Sequence, residues 1–376
     1  MFPALLSVTD IAASVRLGSG KDRTIPAPWL RAPLIFNIPI LINIFVAGRE
    51  CFFLDVPSRF DYSAEALQKK NMDSGVRNMR FRTAGKVTDH LWYLGREEAG
   101  IYVLEGRDDS VMINGGLSYI LPDVLGQIKD FGINVDKIGK ILILHSHFDH
   151  VGVIPYFKRA YPRMEIYASE PAWKLFGMQK YVDVMNTFSR LSAKQAGAAE
   201  GSPGYDLDWR DDITGKIISG GDRMDLGGAA LEIIYTPGHT NCSITAYEPN
   251  LKALFASDGG GIPYLDTSFP SMNTNMAEYL VSLEKLKPYP VRYLCADHYG
   301  YITSDEAGRF IEMTLVEGRK WKAYMEDVYR KFNGDIDAAS KATNEFFYKE
   351  MPGYFIAPDI LEGVFKGMFK YISKNM

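Results

Sequence analysis

The sequence predicts an α+β fold in which two β-sheets pack face to face with helices outside them. Three observations carry that prediction. Short apolar runs punctuated by turns recur from about residue 86 to Cys295. Stretches with helical spacing fall among them, so that strands and helices form two successive sets. Histidines and aspartates stand just past several of the apolar runs, where loops display functional groups on a rigid scaffold.

Taken in order, residues 1 to 85 read as an added N-terminal segment. Its Gly18-Ser19-Gly20-Lys21 is not a phosphate loop, because Asp22 stands where Ser or Thr is needed. Packing on the main domain or forming a homo-oligomer interface is its expected role. Leu91–Leu94, Ile101–Leu104 and Val111–Ile113 are predicted strands, followed by a helix over Tyr119–Asp130 capped by Ser118. A buried strand at Ile141–Leu144, a helix at Ile154–Ala160 and a strand at Glu165–Ala168 come next. Residues 170–212 interrupt the rhythm as an insertion, either a pocket lid or a surface excursion. Strands resume at Lys216–Ser219, Leu231–Tyr235, Ser243–Tyr247 and Ala253–Ala256, with a helix near Asn275–Leu286 and a strand at Arg292–Cys295. Residues 304–376 read as helical. Phe310, Leu315, Trp321 and Met325 form one apolar stripe there; Ile360, Val364, Met368 and Ile372 form another.

The composition sets outer bounds. A hydrophobic share of 47% with 23% charged residues describes an ordinary soluble globular chain. A net charge of −4 gives no electrostatic reason to expect nucleic acid, so the expected partner is a small molecule. Three widely spaced cysteines make neither a disulfide framework nor a Cys-x-x-Cys site, which fits a reducing cytoplasm. No signal peptide is visible. The most apolar run, Ala32 to Val46, is interrupted by Pro33, Asn37, Pro39 and Asn43 and is shorter than the roughly 20 residues of a transmembrane helix.

The chemistry concentrates in His145-Ser146-His147-Phe148-Asp149-His150. Alternate residues of an extended segment project the same way, so His145 and His147 can reach one ion together. Asp149 and His150 follow as the chain bends and can face a second ion. Downstream, His239 lies in Thr-Pro-Gly-His-Thr, Asp258 ends Leu-Phe-Ala-Ser-Asp, and His298 follows the strand ending at Cys295. Five of the chain's six histidines fall in this one pattern. His90, outside it, reads as structural, and Cys242 as a small buried residue.

This order of residues resembles the metallo-β-lactamase superfamily over roughly residues 90 to 310. The resemblance implies a four-layer αββα sandwich, here with an added N-terminal segment, a catalytic domain at 86–303 and a helical C-terminal region at 304–376. It implies one metal held by His145, His147 and His239, a second by Asp149, His150 and His298, and Asp258 bridging. The donor set suits two divalent ions, zinc first, with iron or manganese as alternatives. Such a pair shares a hydroxide at neutral pH, and Asp149 is the residue expected to orient it and move its proton. Tyr264 is a candidate to hydrogen-bond a substrate carbonyl, as a tyrosine near this point does in related lactonases.

Two departures from the family pattern stand out. Asn114-Gly115-Gly116 occupies the turn where an Asp usually steadies the ligands, and Asp297 precedes the last histidine in place of the usual Gly. The expected activity is hydrolysis of a small ester-like substrate, a lactone or a thioester. The lack of a visible signal peptide weighs against a secreted β-lactamase. One alternative is an iron-dependent oxygen- or sulfur-handling oxidoreductase, although His147 stands where such relatives usually place Glu. The other is a non-catalytic binding or signalling protein that keeps the metal site.

Overall fold

The structure, a computed structural model, describes residues 80–198 and 205–376. Residues 1–79, which include most of the expected N-terminal segment and its proposed oligomer interface, lie outside the described residues. Strands β1 (Arg80–Phe81), β2 (Gly85–Thr88), β3 (Leu91–Arg96), β4 (Ala99–Glu105) and β5 (Ser110–Ile113) come first. They are followed by helix α1 (Leu121–Asp130), β6 (Ile138–Leu142), α2 (Ile154–Ala160), β7 (Glu165–Ala168), α3 (Glu170–Phe176), α4 (Gln179–Gln195) and β8 (Gly215–Ile217). The second set runs β9 (Arg223–Asp225), β10 (Ala230–Tyr235), β11 (Ile244–Glu248), β12 (Ala253–Phe255), β13 (Ile262–Tyr264) and β14 (Thr267–Phe269). Helix α5 (Met276–Leu286), β15 (Tyr293–Cys295), β16 (Tyr301–Thr303), α6 (Ser304–Lys331), α7 (Ile336–Glu350) and α8 (Pro358–Asn375) complete the chain.

Two seven-stranded sheets result, ordered β2-β3-β4-β5-β6-β7-β8 and β1-β16-β15-β12-β11-β10-β9. The first is antiparallel through β5 and parallel from β5 to β8, because helices α1 to α4 supply the long crossovers that parallel pairing needs. The second is antiparallel except for β12–β15, where α5 makes the crossover. Period-2 alternation assigns the layers. Tyr102 and Leu104 of β4 join Ile233, Ala246 and Phe255 between the sheets, while Ile101 and Val103 face α1 and α2 on the outside. A third cluster seats α5 to α8 on the outer face of the second sheet. The predicted αββα sandwich is what forms.

Several local expectations shift. Ser118 does not cap the first helix: it opens a single turn of 3₁₀ helix at Ser118–Ile120, and its hydroxyl accepts from Ser189 Oγ at 2.7 Å. The buried strand is Ile138–Leu142, so Ile143 and Leu144 already belong to the loop that delivers His145. Strand pairing reaches back to Arg80, ahead of residue 86, with Arg80 opposite Ile302. Within 170–212, α4 lies against the histidine loop, since the Tyr181 hydroxyl donates to Ser146 O at 2.9 Å. No helix among the described residues is long and apolar enough to cross a membrane.

The apolar stripe predicted for the tail anchors α6, where Phe310 is fully buried against Leu294, Ile302 and Leu315 in the third cluster. Phe310→Ala is expected to cost about 3–5 kcal/mol in urea unfolding, the range for truncating a buried aromatic. A loss below about 1 kcal/mol would mean that α6 is not held by this contact.

Candidate metal centre

Every predicted ligand sits in a loop leaving the end of a strand, and the sandwich gathers those ends at one edge. His145 to His150 follow β6, His239 follows β10, Asp258 follows β12, and His298 follows β15. Tyr102 ties the edges together: from the first sheet its hydroxyl donates to Ala296 O of the second at 2.7 Å. Left-handed backbone makes the sharp exits. Asn114, Ser257 and Tyr299 have φ of 60°, 49° and 61°, and the last two flank Asp258 and His298. Gly238, at φ 131°, lets the turn before His239 press on α5, where a Cβ would meet Tyr279 N at 2.2 Å.

The side chains converge into three overlapping groups, each with its donor atoms within 4.8 Å of one another. These are His145 with His147 and His239, His145 with His150 and Asp258, and Asp149 with His150 and His298. His239 Nε2 lies 3.0 Å from His147 Nδ1, and His298 Nε2 lies 3.3 Å from His150 Nε2. Asp258 reaches both sides, with His239 Nε2 and His298 Nε2 at 3.5 and 3.4 Å. Donors that share one tetrahedral ion at 2.0–2.1 Å stand roughly 3.3–3.4 Å apart, so these separations suit coordination.

The far sides of the rings fix the tautomers. His239 Nδ1 donates to Ser271 O at 2.7 Å, His298 Nδ1 to Glu98 O at 2.6 Å, and His150 Nδ1 to Asp297 Oδ2 at 2.9 Å. His145 Nδ1 lies 3.2 Å from Ser257 Oγ, whose own proton goes to Asp297. Each of these rings therefore turns its Nε2 toward the centre. His147 is the exception, turning Nδ1 inward.

Two observations test whether the residues fit a cation. His145 Nε2 is buried and has no hydrogen-bond partner. Asp149, Asp258 and Asp297 are 6%, 5% and 3% exposed, yet among the described residues their ion pairs are with histidines alone, with no Lys or Arg. Buried carboxylates need positive charge. Burial, reinforced by the neighbouring imidazoles, holds His145 well below its ordinary value and pushes His147 down to about 3. Burial also lowers His239. These rings are neutral, as ligands must be. Burial would lower His150 too, but Asp149 and Asp258 outweigh it and raise it well above its ordinary value. Burial would likewise raise Asp258, but the charges of His150 and His298 hold it well below the usual carboxylate range. The cluster draws a cation.

A cavity of about 150 Å³ opens on this cluster, with His147, Asp149, His239, Asp258 and His298 along one side. Its other walls are mostly apolar, with Ser271 and Asn273 as polar exceptions, and draw on regions without a motif: Phe188 of α4, Phe355 and Ile356 of the α7–α8 loop, and Ile360 and Val364 of α8. Phe355 lies over His298 with ring centroids 4.4 Å apart. Tyr354 and Phe355 also border a more polar cavity of about 340 Å³ containing Glu97, Glu98 and Gln195. Tyr264 is not among the lining residues. Its hydroxyl donates to Pro352 O at 2.5 Å, so it braces the α7–α8 loop. Tyr354, on that loop, lines the cavity instead, and no run of residues near the motif signals it.

An αββα sandwich with clustered imidazoles and carboxylates at one edge defines a class of metal-site proteins. The family model described as the metallo-beta-lactamase superfamily matches residues 96–298, and the chain belongs to that superfamily. It is similar to the metallo-beta-lactamase fold-containing protein ST1585 of Sulfurisphaera tokodaii, at 28% identity over 195 residues, covering 51% of this chain and 67% of that one. It is also similar to the human acyl-coenzyme A thioesterase MBLAC2, at 27% identity over 206 residues, covering 51% of this chain and 70% of that one. Among solved structures, the metallo-beta-lactamase family protein TTHA1429 of Thermus thermophilus shares the fold with a TM-score of 0.54 and 15% identity, covering 77% of this chain and 95% of that one.

Gly238→Ala is expected to displace the turn that carries His239. The purified variant should retain less metal per chain than wild type after gel filtration and should melt at lower temperature. Unchanged metal content and melting would show that the turn tolerates the side chain.

Proposed function

We propose that the protein is a metal-dependent hydrolase that cleaves a small thioester or lactone carrying an apolar acyl group. The observation that carries this reading is the apolar cavity ending on the ligand cluster. No Lys or Arg is among the residues that line it, so it suits an acyl chain better than a phosphate-bearing group. Each buried methylene of such a chain contributes about 0.8 kcal/mol. Similarity to a thioesterase supports the same substrate class.

Metal ions suited to this donor set, zinc among them, supply Lewis acidity and an acidified water near neutral pH. The chain's own residues do the rest. His145, His147 and His239 would hold one ion and Asp149, His150 and His298 the other, with Asp258 available to both groups. Asp149 lines the cavity with His298 Nε2 at 3.7 Å, where its carboxylate can take the proton of the nucleophile and pass it to the leaving sulfur or oxygen. Tyr354 is 8% exposed and lines the cavity beside Asp258 and His298. Burial, and then the charges of Asp258 and Asp149, push it well above the usual phenol range, so it remains a neutral donor. It is placed to hydrogen-bond the acyl oxygen. Phe188, Phe355 and Val364 exclude water around the chain.

A screen of acyl thioesters and lactones of graded chain length, with phosphodiesters as controls, tests this reading. Turnover should rise with apolar chain length and then fall once the cavity is full. Val364→Trp should shift that optimum to shorter chains. Turnover of phosphodiesters with none of any acyl ester would overturn the proposal. Tyr354→Phe is expected to lower kcat by about 10²-fold, the cost of removing one oxyanion donor, with metal content unchanged. A kcat within about twofold of wild type would remove Tyr354 from the machinery.

A further inference from the structure

Asp297 and Asn114 interlock behind the ligands. Asn114 leaves β5 of the first sheet, whereas Asp297 leaves β15 of the second. Both are buried, at 0% and 3% exposure. A single oxygen, Asp297 Oδ2, accepts from His150 Nδ1 at 2.9 Å, from Asn114 Nδ2 at 2.6 Å and from the Ser257 hydroxyl. Ser257 in turn stands beside His145 Nδ1, so this one carboxylate reaches two ligand rings, directly and through a hydroxyl.

Asn114 is constrained from both sides. Its Oδ1 accepts from Leu144 N at 2.7 Å, immediately before the first ligand, and its Nδ2 must donate to Asp297. A carboxylate at position 114 could still accept from Leu144 N. It would have no Nδ2 to donate to Asp297, so the bond that joins the two sheets behind the ligands would be lost. The amide at 114 and the carboxylate at 297 thus complement each other as donor and acceptor.

We infer that Asp297 is the positioning residue for His150, and that Asn114 is its neutral counterpart. The joint between the two sheets carries one carboxylate, and this chain places it on the residue before the last ligand. The two departures from the family pattern are then a single exchange of charge between facing positions. Asp297 fixes the His150 tautomer with Nε2 inward and strengthens that ring as a donor. The inference concerns metal holding and does not depend on which substrate is cleaved.

The test compares wild type, Asp297→Asn and the double variant Asn114→Asp/Asp297→Asn, reading zinc affinity by competition with a chromophoric chelator. Melting in excess chelator is recorded alongside to read the metal-free fold. Asp297→Asn is expected to bind zinc about 10–100-fold more weakly, the usual cost of losing a partner of a ligating histidine. Its melting temperature in chelator should stay close to wild type. The double variant returns one carboxylate to the joint and should regain at least half of the lost affinity on a logarithmic scale. Wild-type zinc affinity in Asp297→Asn would overturn the inference, as would a double variant no better than the single one. If Asp297→Asn does not fold, recovery of folded, zinc-binding protein in the double variant supports the exchange, and failure of both overturns it.

Discussion

The structure of the site depends on an electrostatic imbalance. Asp149, Asp258 and Asp297 are buried around the His150 ring, the first two on its Nε2 side and the third on its Nδ1 side, and among the described residues histidines are their ion-pair partners. Removing a carboxylate from water is costly unless positive charge compensates it. An imbalance of this kind is a poor way to stabilise a fold and a good way to hold a divalent cation. The sandwich provides the stability elsewhere, through three apolar clusters.

That division follows from the architecture. Two sheets packed face to face bring strand ends from distant parts of the chain to one edge, so residues more than a hundred positions apart can share a hydrogen bond. Backbone carbonyls at Glu98 and Ser271 and the Asp297 carboxylate hold the outer nitrogens of three rings. The inner nitrogens are thereby preset, which limits the reorganisation that ion binding demands. The helical C-terminal region then lines the cavity with apolar side chains, on segments separate from those that carry the predicted ligands.

The two packed sheets and the residues that gather at the candidate centre were legible in the sequence through short-range signals, and the resemblance to the superfamily joined them into an αββα sandwich with one candidate site. His145 to His150 are contiguous, and His239, Asp258 and His298 each follow an apolar run that any strand template recognises. Short polar strands such as Arg223–Asp225 carry no such pattern, being set by their neighbours in the sheet. Tyr264 was singled out for its nearness to Asp258 along the chain, yet β13 turns its hydroxyl to Pro352, 88 positions away. Tyr354 and Phe355 reach the site from the α7–α8 loop, a relation visible only once three helices are packed. Asn114 and Asp297 could each be noticed as a departure, but their coupling spans 183 positions and appears in no local pattern.

The buried cluster is expected to form a two-ion centre with Asp258 between the ions. A crystal structure of the zinc-loaded protein with anomalous scattering at the zinc edge tests it most directly. Two peaks are expected, one among His145, His147 and His239 and one among Asp149, His150 and His298. No peak in the cluster, or a single ion that leaves one of these groups empty at saturating zinc, would contradict it.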